Sequence, residues 1–346
     1  MRILIVTNSH FKEYGGPYRA ISQKIKYLNK KNIENKLIYK SSNNYNYNLD
    51  LKPIIEDYDI VHIYGSWRPF FVKVFLIAKL LKKKIVISPL GATEPWALNQ
   101  KKLKKLIAWK LYQKKILNSA DVIHATCNAE AQNLINNSIT SKIEIIAHGI
   151  EDSQKVLKKE TSNKIKKIIF FSRIHLKKGI LELIDCWKDL DTQITWQLDI
   201  YGPISDKKYY ELMLKKIRVN NLENNIFYKG SVFNKQDKDQ IFKNANAFIL
   251  PSKSENFGIS IGEALSYGLP VLTTKETPWE LINEYQAGYV FPFSRENIMT
   301  YLNKLFLLND EELYQMGLNS QKLINENYKL NTILEQYVEL YKRLVL

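Results

Sequence analysis

Apolar runs alternate with amphipathic stretches along the whole chain. The runs that read as β-strands are MRILIVTN, NKLIYK, YDIVHIYG, KIVISPLG and ADVIHATC in the first half, and KKIIFFSR, WQLDIYG, NIFYKGSV, NAFILPS and LPVLTT in the second. Stretches such as PYRAISQKIKYLNKKN and PFFVKVFLIAKLLKKK lie between them and have the spacing of amphipathic helices. Strands that alternate with helices indicate βαβ units and parallel sheets. The pattern therefore predicts an α/β protein.

A polar segment separates the two halves of this pattern. Residues 151–167, EDSQKVLKKETSNKIKK, have hardly any apolar periodicity and are predicted to be an interdomain linker. We predict an N-terminal domain over residues 1–155, a C-terminal domain over 165–325, and a helix over 326–346 that packs back on the first domain. The two domains are predicted to be Rossmann-like parallel sheets that face a central cleft. Open α/β sheets bind ligands at the carboxyl ends of their strands.

Composition places the chain among globular rather than disordered proteins. Of its 346 residues, 45% are hydrophobic and 25% are charged. The apolar block at the start is too short for a signal peptide, and the run Phe70–Leu81 is interrupted by Lys73 and Lys79 and falls short of a membrane span. Cys127 and Cys186 lack metal-ligand spacing, which is typical of buried thiols in a reducing compartment. We therefore expect a cytoplasmic protein.

The positive charge is concentrated in the first half of the chain. Residues 1–160 hold 27 Lys and Arg against 13 Asp and Glu, a net charge of +14, whereas residues 161–346 hold 24 against 22. One half is therefore expected to face an anionic membrane surface, a phosphate-bearing substrate or nucleic acid. Nothing in the chain resembles a nucleic-acid-binding module, so nucleic acid is not an expected partner.

A basic stretch in this half, KKLKKLIAWKLYQKKIL over residues 101–117, suits an anionic membrane surface. Trp96 and Trp109 lie nearby. Four apolar residues recur in the stretch at helical spacing: Leu103, Leu106, Ile107 and Leu111. The alternative is that this apolar stripe packs into the domain and the lysines are merely solvated. The charge asymmetry favours a peripheral position at the inner face of the cell membrane.

The first candidate site is SENFGISIGEALSYGLP, residues 254–270. A strand, a loop and a helix follow one another here, and Gly258 in the loop lets the backbone approach a ligand closely. The free N–H groups at the helix start favour a phosphate. Glu263 inside the helix has two oxygens for the two hydroxyls of a ribose, which leaves Glu255 for the sugar beyond the phosphates. The alternative is a surface loop with a glutamate stabilised by the helix dipole.

Two further clusters suit phosphate chemistry. The loop FSRIHLKKG after a predicted strand carries Arg173 and Lys178, two cations that would stabilise a departing diphosphate more than the ground state. Either residue alone is more simply a solvated side chain. The pair Gly15-Gly16 before the first predicted helix suits close approach to a phosphate from the opposite domain, although turns use glycine pairs constantly.

Together these clusters resemble glycosyltransferase family 4, retaining enzymes of the two-domain GT-B type, over nearly the whole chain. The resemblance implies that Glu263 binds the nucleotide ribose, that Glu255 contacts the donor sugar, and that the loop ending in Val232 meets the base. It also implies a catalytic role for Arg173, Lys178 and Glu255, an acceptor-binding first domain and a nucleotide-sugar-binding second domain. The full set of implied donor-binding residues is Gly16, Arg173, Lys178, Val232, Glu255, Asn256, Phe257, Gly258, Ile259 and Glu263.

The segment ISPLGATEPWALNQKKLKK is similar to one in bacterial members that build surface polysaccharides, with one departure. Many members have a histidine or arginine just before the glycine, where this chain has Leu90. His62 and His124, each at the end of a predicted strand, are candidates to compensate. The alternative is that both are histidines packed at strand ends. No metal is expected, since Arg173 and Lys178 supply the positive charge that a metal would provide.

The activity that the resemblance implies is retaining, metal-independent hexosyl transfer. The donor is expected to be a nucleotide-diphosphate sugar, and the acceptor a glycan or lipid-linked oligosaccharide in O-antigen, capsule or lipooligosaccharide synthesis. No carboxylate is well placed as a covalent nucleophile, so a same-face substitution is favoured. The alternatives are a nucleotide-sugar hydrolase or epimerase of the same fold, and a non-catalytic membrane-associated nucleotide-sugar-binding protein.

Overall fold

The computed structural model describes residues 1–8, 15–39, 50–152, 165–190 and 196–346. Most of the predicted linker lies outside these residues.

The chain divides into two compact units. Unit 1 comprises Met1–Gly149 and Leu330–Leu346, and unit 2 comprises Ile150–Lys329. The first unit thus contains both ends of the chain.

Unit 1 begins with alternating strands and helices. Its strands are β1 (Arg2–Thr7), β2 (Glu34–Tyr39), β3 (Ile60–Tyr64), β4 (Lys84–Ser88), β5 (Val122–Ala125) and β6 (Ile143–Ile145). Its helices before the chain enters unit 2 are α1 (Gly15–Lys30), α2 (Leu51–Glu56), α3 (Pro69–Leu80), α4 (Pro95–Asn99), α5 (Lys102–Ala108), α6 (Lys114–Leu117) and α7 (Asn128–Asn136). A π-helical turn, Trp109–Gln113, joins α5 to α6. The strands form a parallel sheet in the order β2-β1-β3-β4-β5-β6.

Both faces of this sheet are buried. Along β1, Leu4 and Val6 belong to one apolar cluster, and Ile3 and Ile5 belong to another on the opposite face. A strand covered on both faces has no solvated side and therefore reads as a continuous apolar run. This is why RILIVT was recognisable as a strand from its sequence.

Unit 2 repeats the alternation. Its strands are β7 (Lys166–Phe171), β8 (Trp196–Tyr201), β9 (Ile226–Gly230), β10 (Ala247–Leu250), β11 (Val271–Thr274) and β12 (Gly288–Phe291). Its helices are α8 (Ile180–Lys188), α9 (Lys207–Val219), α10 (Lys235–Asn244), α11 (Ile259–Ser266), α12 (Leu281–Glu284), α13 (Arg295–Phe306) and α14 (Asp310–Asn327). A short 3₁₀ turn, Leu176–Lys178, precedes α8.

The strand order of unit 2 reverses at its centre. The parallel sheet has the order β12-β11-β10-β7-β8-β9, so the chain first builds outward from β7 on one side and then from β10 on the other. The crevice at such a reversal, outside the carboxyl ends of the strands, is where open α/β sheets bind ligands. Unit 2 therefore has its topological switch point between β7 and β10.

The last helix, α15 (Leu330–Val345), belongs to unit 1. Its buried Tyr337 and Tyr341 lie in the same apolar cluster as Ile3 and Ile5 of β1. At the helix surface, the hydroxyl of Tyr27 donates a hydrogen bond to the Glu335 carboxylate (2.5 Å). The end of the chain thus completes the core of the unit in which the chain began.

The predicted fold class is confirmed: two six-stranded parallel sheets are connected by helices. The strands β6 and β12 are not among the predicted runs, because both are short edge strands that lack a long buried run. None of the helices in the described part of the chain combines the length and apolarity that a membrane crossing requires. Neither Cys127 nor Cys186, both described residues, forms a disulfide bond.

Candidate active site

The loops after β7 and β10 lie side by side at the carboxyl edge of unit 2, because the two strands pair in parallel. The amide of Lys253 donates a hydrogen bond to the carbonyl oxygen of Lys177 (2.8 Å) and ties one loop to the other. We call residues 171–179 and 251–263 together the switch-point corner. It contains two of the three clusters that the sequence analysis selected.

Gly179 permits this close approach. Its φ of +70° lies in the left-handed region, and a Cβ atom built on it would lie 2.1 Å from the carbonyl oxygen of Pro251. Any side chain at this position would therefore force the two loops apart. The glycine of RIHLKKG is required by the packing of the corner, a role that the sequence analysis did not assign to it.

Lys178 and Glu255 form an ion pair at the centre of the corner. The Lys178 ammonium donates to Glu255 Oε1, and the side chains are only 8% and 12% exposed. Ser252 Oγ donates to the same oxygen (3.2 Å), and the Glu255 amide donates to the carbonyl oxygen of Glu276 (2.9 Å). The predicted diphosphate cation and the predicted sugar contact are thus neighbours, although no local pattern indicates that they pair.

Arg173 lies at the rim of the same corner with an exposed side chain. The backbone around it is fixed, because the amide of Ile174 donates to the carbonyl oxygen of Pro203 (2.9 Å) and Ile174 is fully buried. Burial and the neighbouring charge of Arg173 lower the pKa of His175. The exposed guanidinium of Arg173 is the kind of cation that suits an anionic ligand.

Glu263 is held by a lysine that the sequence analysis missed. Lys238 on α10 donates from Nζ to Glu263 Oε2 (2.5 Å), and the side chains are 17% and 9% exposed. The same ammonium lies 5.0 Å from the ring centroid of Phe171 and 5.7 Å from that of Phe242. The helix α10, KQDKDQIFKN, is polar on most of its surface, so nothing in the sequence singled out this lysine.

Phe257 anchors the loop between the two glutamates. Its ring is buried against Trp279 and Tyr328, with centroid separations of 5.2 Å and 5.9 Å. The indole N–H of Trp279 donates to the carbonyl oxygen of Phe257 (2.5 Å). The side chain of this predicted donor-binding residue therefore packs inside unit 2.

The start of α11 has the predicted strand–loop–helix geometry. Gly258 has a φ of +77° and immediately precedes the helix, whose first residue is Ile259. The first amides of a helix lack carbonyl partners within it and point outward, so they form a favourable place for an anion. Asn256 lies in the same loop between Glu255 and Phe257 and is half-buried.

The remaining predicted residues are Val232 and Gly16. Val232 is half-buried and follows Gly230 of β9, a strand that β8 separates from β7. The carbonyl oxygen of Gly230 accepts a hydrogen bond from the amide of Gly202 (2.9 Å), which ties the loop after β8 to the end of β9. Gly16 belongs to unit 1, where it lies in the first turn of α1.

His62 and His124 cannot substitute for a side chain at Leu90, because both are completely buried. Ser88 Oγ lies 2.7 Å from His62 Nε2 and 2.6 Å from His124 Nδ1. The hydroxyl of Tyr341 on α15 contacts His62 Nδ1 (2.6 Å). Burial, followed by the charge of nearby Lys24, holds the pKa of both histidines well below the ordinary value. The alternative of packed histidines is correct.

The basic stretch 101–117 presents its apolar residues to solvent. The exposed fractions are 76% for Leu103, 49% for Leu106, 58% for Ile107 and 73% for Leu111. Trp109 instead packs against Trp67, with a centroid separation of 5.9 Å, and Leu117 is buried. The alternative in which the apolar stripe packs into the domain is therefore wrong for these four residues.

No group of three or more His, Cys, Asp or Glu side chains that could hold a metal ion occurs in the described ranges. A metal-independent reaction stays a prediction.

Comparison with known families agrees with the fold. Residues 151–323 match the family model described as Glycosyl transferases group 1, and residues 15–154 match the one described as Glycosyltransferase Family 4. The first match covers most of unit 2 and includes the whole switch-point corner. The chain belongs to the glycosyl transferases of group 1, with an N-terminal half of the family 4 type, and it is a glycosyltransferase.

Three similar proteins illustrate the relationship. An uncharacterized 41.2 kDa protein in the cps region of Klebsiella pneumoniae is 24% identical over 82% of this chain and 79% of its own length. O-antigen chain mannosyltransferase C of Escherichia coli is 24% identical over 85% of this chain and 78% of its own length. The structure of Anabaena Alr3699/HepE in complex with UDP and glucose has a TM-score of 0.78 at 16% identity, over 99% of this chain and 100% of that chain. This likeness shows a shared GT-B fold.

Proposed function

We propose that this glycosyltransferase is a retaining hexosyltransferase that uses a nucleotide-diphosphate sugar and needs no metal. The observation that carries the proposal is the pairing of each predicted donor glutamate with a lysine at the switch point of unit 2. Glu255 pairs with Lys178, and Glu263 pairs with Lys238. Carboxylates suit the hydroxyls of a sugar and a ribose, and cations suit the phosphates between them.

The proposed leaving-group site consists of Lys178, Arg173 and the first amides of α11. As the bond between the anomeric carbon and the phosphate oxygen breaks, negative charge grows on the diphosphate, and fixed cations stabilise that charge. The acceptor oxygen bonds to the anomeric carbon on the same face, and its proton passes to the departing phosphate oxygen. The protein then needs no covalent nucleophile, and its contribution is orientation and charge stabilisation.

In this mechanism the ion pair of Lys178 and Glu255 opens or rearranges when the donor binds. A donor phosphate would take over the ammonium, and a sugar hydroxyl would occupy the Glu255 carboxylate. The two side chains therefore neutralise each other before the donor binds. Afterwards Lys178 contacts the phosphate, and Glu255 contacts the sugar, on either side of the bond that breaks. Loss of one partner would leave a charge at only 8% or 12% exposure without its counter-ion.

The proposed donor and acceptor classes draw on the similar proteins. The E. coli relative is an O-antigen chain mannosyltransferase, and the Anabaena structure contains UDP and glucose. A nucleotide-activated hexose and a glycan or lipid-linked acceptor of surface polysaccharide synthesis are consistent with both. The Klebsiella relative in a cps region points to the same class of acceptor.

We also propose that unit 1 docks peripherally on an anionic membrane, at the cytoplasmic face. The supporting observation is the apolar surface of α5 and the π-helical turn, where Leu103 and Leu111 are each about three-quarters exposed. Lysines that are exposed on the same stretch, Lys101, Lys102, Lys104, Lys110 and Lys115, complement anionic headgroups. A membrane position would bring the enzyme to a lipid-linked acceptor.

The experiment begins with a thermal-shift panel of UDP, GDP, ADP and dTDP to select the nucleotide. Transfer is then measured from the matching nucleotide sugars to lipid-linked acceptors, with and without EDTA, and the product's anomeric configuration is read by NMR. Consumption of the nucleotide sugar without any added acceptor would indicate a hydrolase or epimerase instead. Binding without turnover for any acceptor would favour a non-catalytic binding protein, and an inverted product would refute the retaining mechanism.

A further inference from the structure

Lys238 reaches the switch-point corner from a helix outside it. It lies on α10, which follows the loop that contains Val232, and its ammonium touches Glu263 on α11 (2.5 Å). The rings of Phe171 and Phe242 lie beside the ammonium. An ammonium held between a carboxylate and aromatic faces has little freedom to reorient, because both kinds of contact attract it.

Glu263 lies in an environment in which its contact with Lys238 matters for the orientation of the carboxylate. The side chain is 9% exposed, and polar oxygens at that depth cost free energy unless a cation or hydrogen-bond donors contact them. An ionised carboxylate is purely an acceptor with about four acceptor positions. It can therefore accept from Lys238 at Oε2 and from two neighbouring hydroxyls at the same time.

We propose that Lys238 is a positioning residue for nucleotide selectivity: it holds the Glu263 carboxylate in one orientation, so that the carboxylate binds both hydroxyls of a ribose. This inference rests on the proposed function, in which Glu263 binds the nucleotide ribose. It adds a residue that acts through Glu263 and determines the preference for ribonucleotides over 2′-deoxyribonucleotides.

The test compares the affinities of UDP and 2′-deoxy-UDP by calorimetry, or the corresponding pair for the nucleotide that gives the largest thermal shift. For the wild type we expect the ribonucleotide to bind at least about 10-fold more tightly, the effect of one hydrogen bond to a charged group. Lys238→Met should reduce this ratio to about 3-fold or less. Lys238→Arg, which keeps the cation, should restore most of it.

Lys216→Met is the matched control. Lys216 also lies in unit 2 and forms an ion pair, but with Asp185 on α8. The control removes a lysine and an ion pair of the same kind, and it should keep the wild-type ratio of affinities. If Lys238→Met does not fold, Lys238→Gln replaces it in the same comparison, because glutamine keeps much of the stem without the charge.

The outcomes separate the inference from the proposed function. Equal weakening of both nucleotides in Lys238→Met, or an unchanged ratio, would mean that Lys238 is merely structural and would overturn the inference. A wild type that binds nucleotides without ribose preference would do the same, while leaving the proposed function standing. A wild type that binds no nucleoside diphosphate at all would overturn the proposed function and, with it, this role of Lys238.

Discussion

Replacing Leu111 with serine should weaken membrane binding without weakening the fold. Leu111 is 73% exposed, so the change removes an apolar side chain that contributes little to the core of unit 1. Substitutions at exposed sites usually change the free energy of unfolding by less than about 0.5 kcal/mol. The unfolding midpoint in urea should therefore stay near that of the wild type.

The expected loss of membrane affinity follows from the exposed area. Complete burial of a leucine side chain contributes about 1.5–3 kcal/mol, and about three-quarters of this side chain remains to be buried. Insertion of Leu111 would then contribute roughly 1–2 kcal/mol, and its loss should lower the partition coefficient about 5- to 30-fold. Leu103, 76% exposed, should contribute a similar amount, and the double variant should show the product of the two effects.

Co-sedimentation with anionic vesicles measures this partition coefficient, and the matched control is Leu307→Ser. Leu307 is 86% exposed but belongs to unit 2. Its replacement should leave vesicle binding unchanged. Lys104→Gln should weaken binding at low salt and have little effect at high salt, whereas Leu111→Ser should weaken it at both, because salt screens only the charge term.

The predicted membrane contact is refuted if Leu111→Ser binds vesicles as tightly as the wild type. It is also refuted if Leu307→Ser loses as much vesicle affinity as Leu111→Ser does. The first result would mean that the exposed apolar residues of α5 and the π-helical turn do not enter the membrane. The second would mean that vesicles bind exposed apolar residues on any surface of the protein.

Three further predictions concern the corner and the core. Arg173→Ala and Lys178→Ala should each lower kcat at least about 100-fold with a smaller change in donor affinity, because their charges stabilise the leaving group; near-normal single-turnover rates would refute this role. Glu263→Ala should weaken binding of the bare nucleoside diphosphate about 10-fold or more, and unchanged calorimetry would contradict the ribose contact. Burial lowers the pKa of His62 and His124, so as the pH falls below about 6.5 the unfolded chain binds protons that the folded chain does not, and the folded state loses stability. The free energy of unfolding should drop by about 1.4 kcal/mol per pH unit for each histidine that stays neutral in the folded state. A free energy of unfolding that stays constant from pH 7 to 5 would exclude this effect.

Some of the candidate site was predictable because its signals are local in the chain. The strand β10, the loop with Gly258 and the helix α11 follow one another without interruption, and each has its own signature. The burial of both sheet faces makes a strand such as β1 apolar throughout, so it too is visible without knowledge of its neighbours. Glu255 and Glu263 were selected on this basis.

The partners of those glutamates were not predictable in the same way. Lys178 contacts Glu255 only because β10 lies beside β7. The order of strands in a sheet depends on pairing between distant segments, which local periodicity does not encode. Lys238 meets Glu263 from a polar helix whose orientation depends on the packing of unit 2. Lys178 is a candidate phosphate cation from its loop alone, but its pairing with Glu255 has no signal in the sequence. In a chain with 51 lysines and arginines, nothing near Lys238 distinguishes it.

The sequence by itself determined the α/β class, most of the strands and the loop positions of the catalytic candidates, because apolar periodicity, glycine and charge act over a few neighbouring residues. The tertiary structure alone decided which side of an amphipathic segment meets solvent, as at Leu111, and which polar residues become core, as at His62 beneath Tyr341. An apolar stripe has the same spacing whether it packs on a core or faces outward. Only contacts between elements that are distant in the chain decide whether such a stripe is buried or exposed.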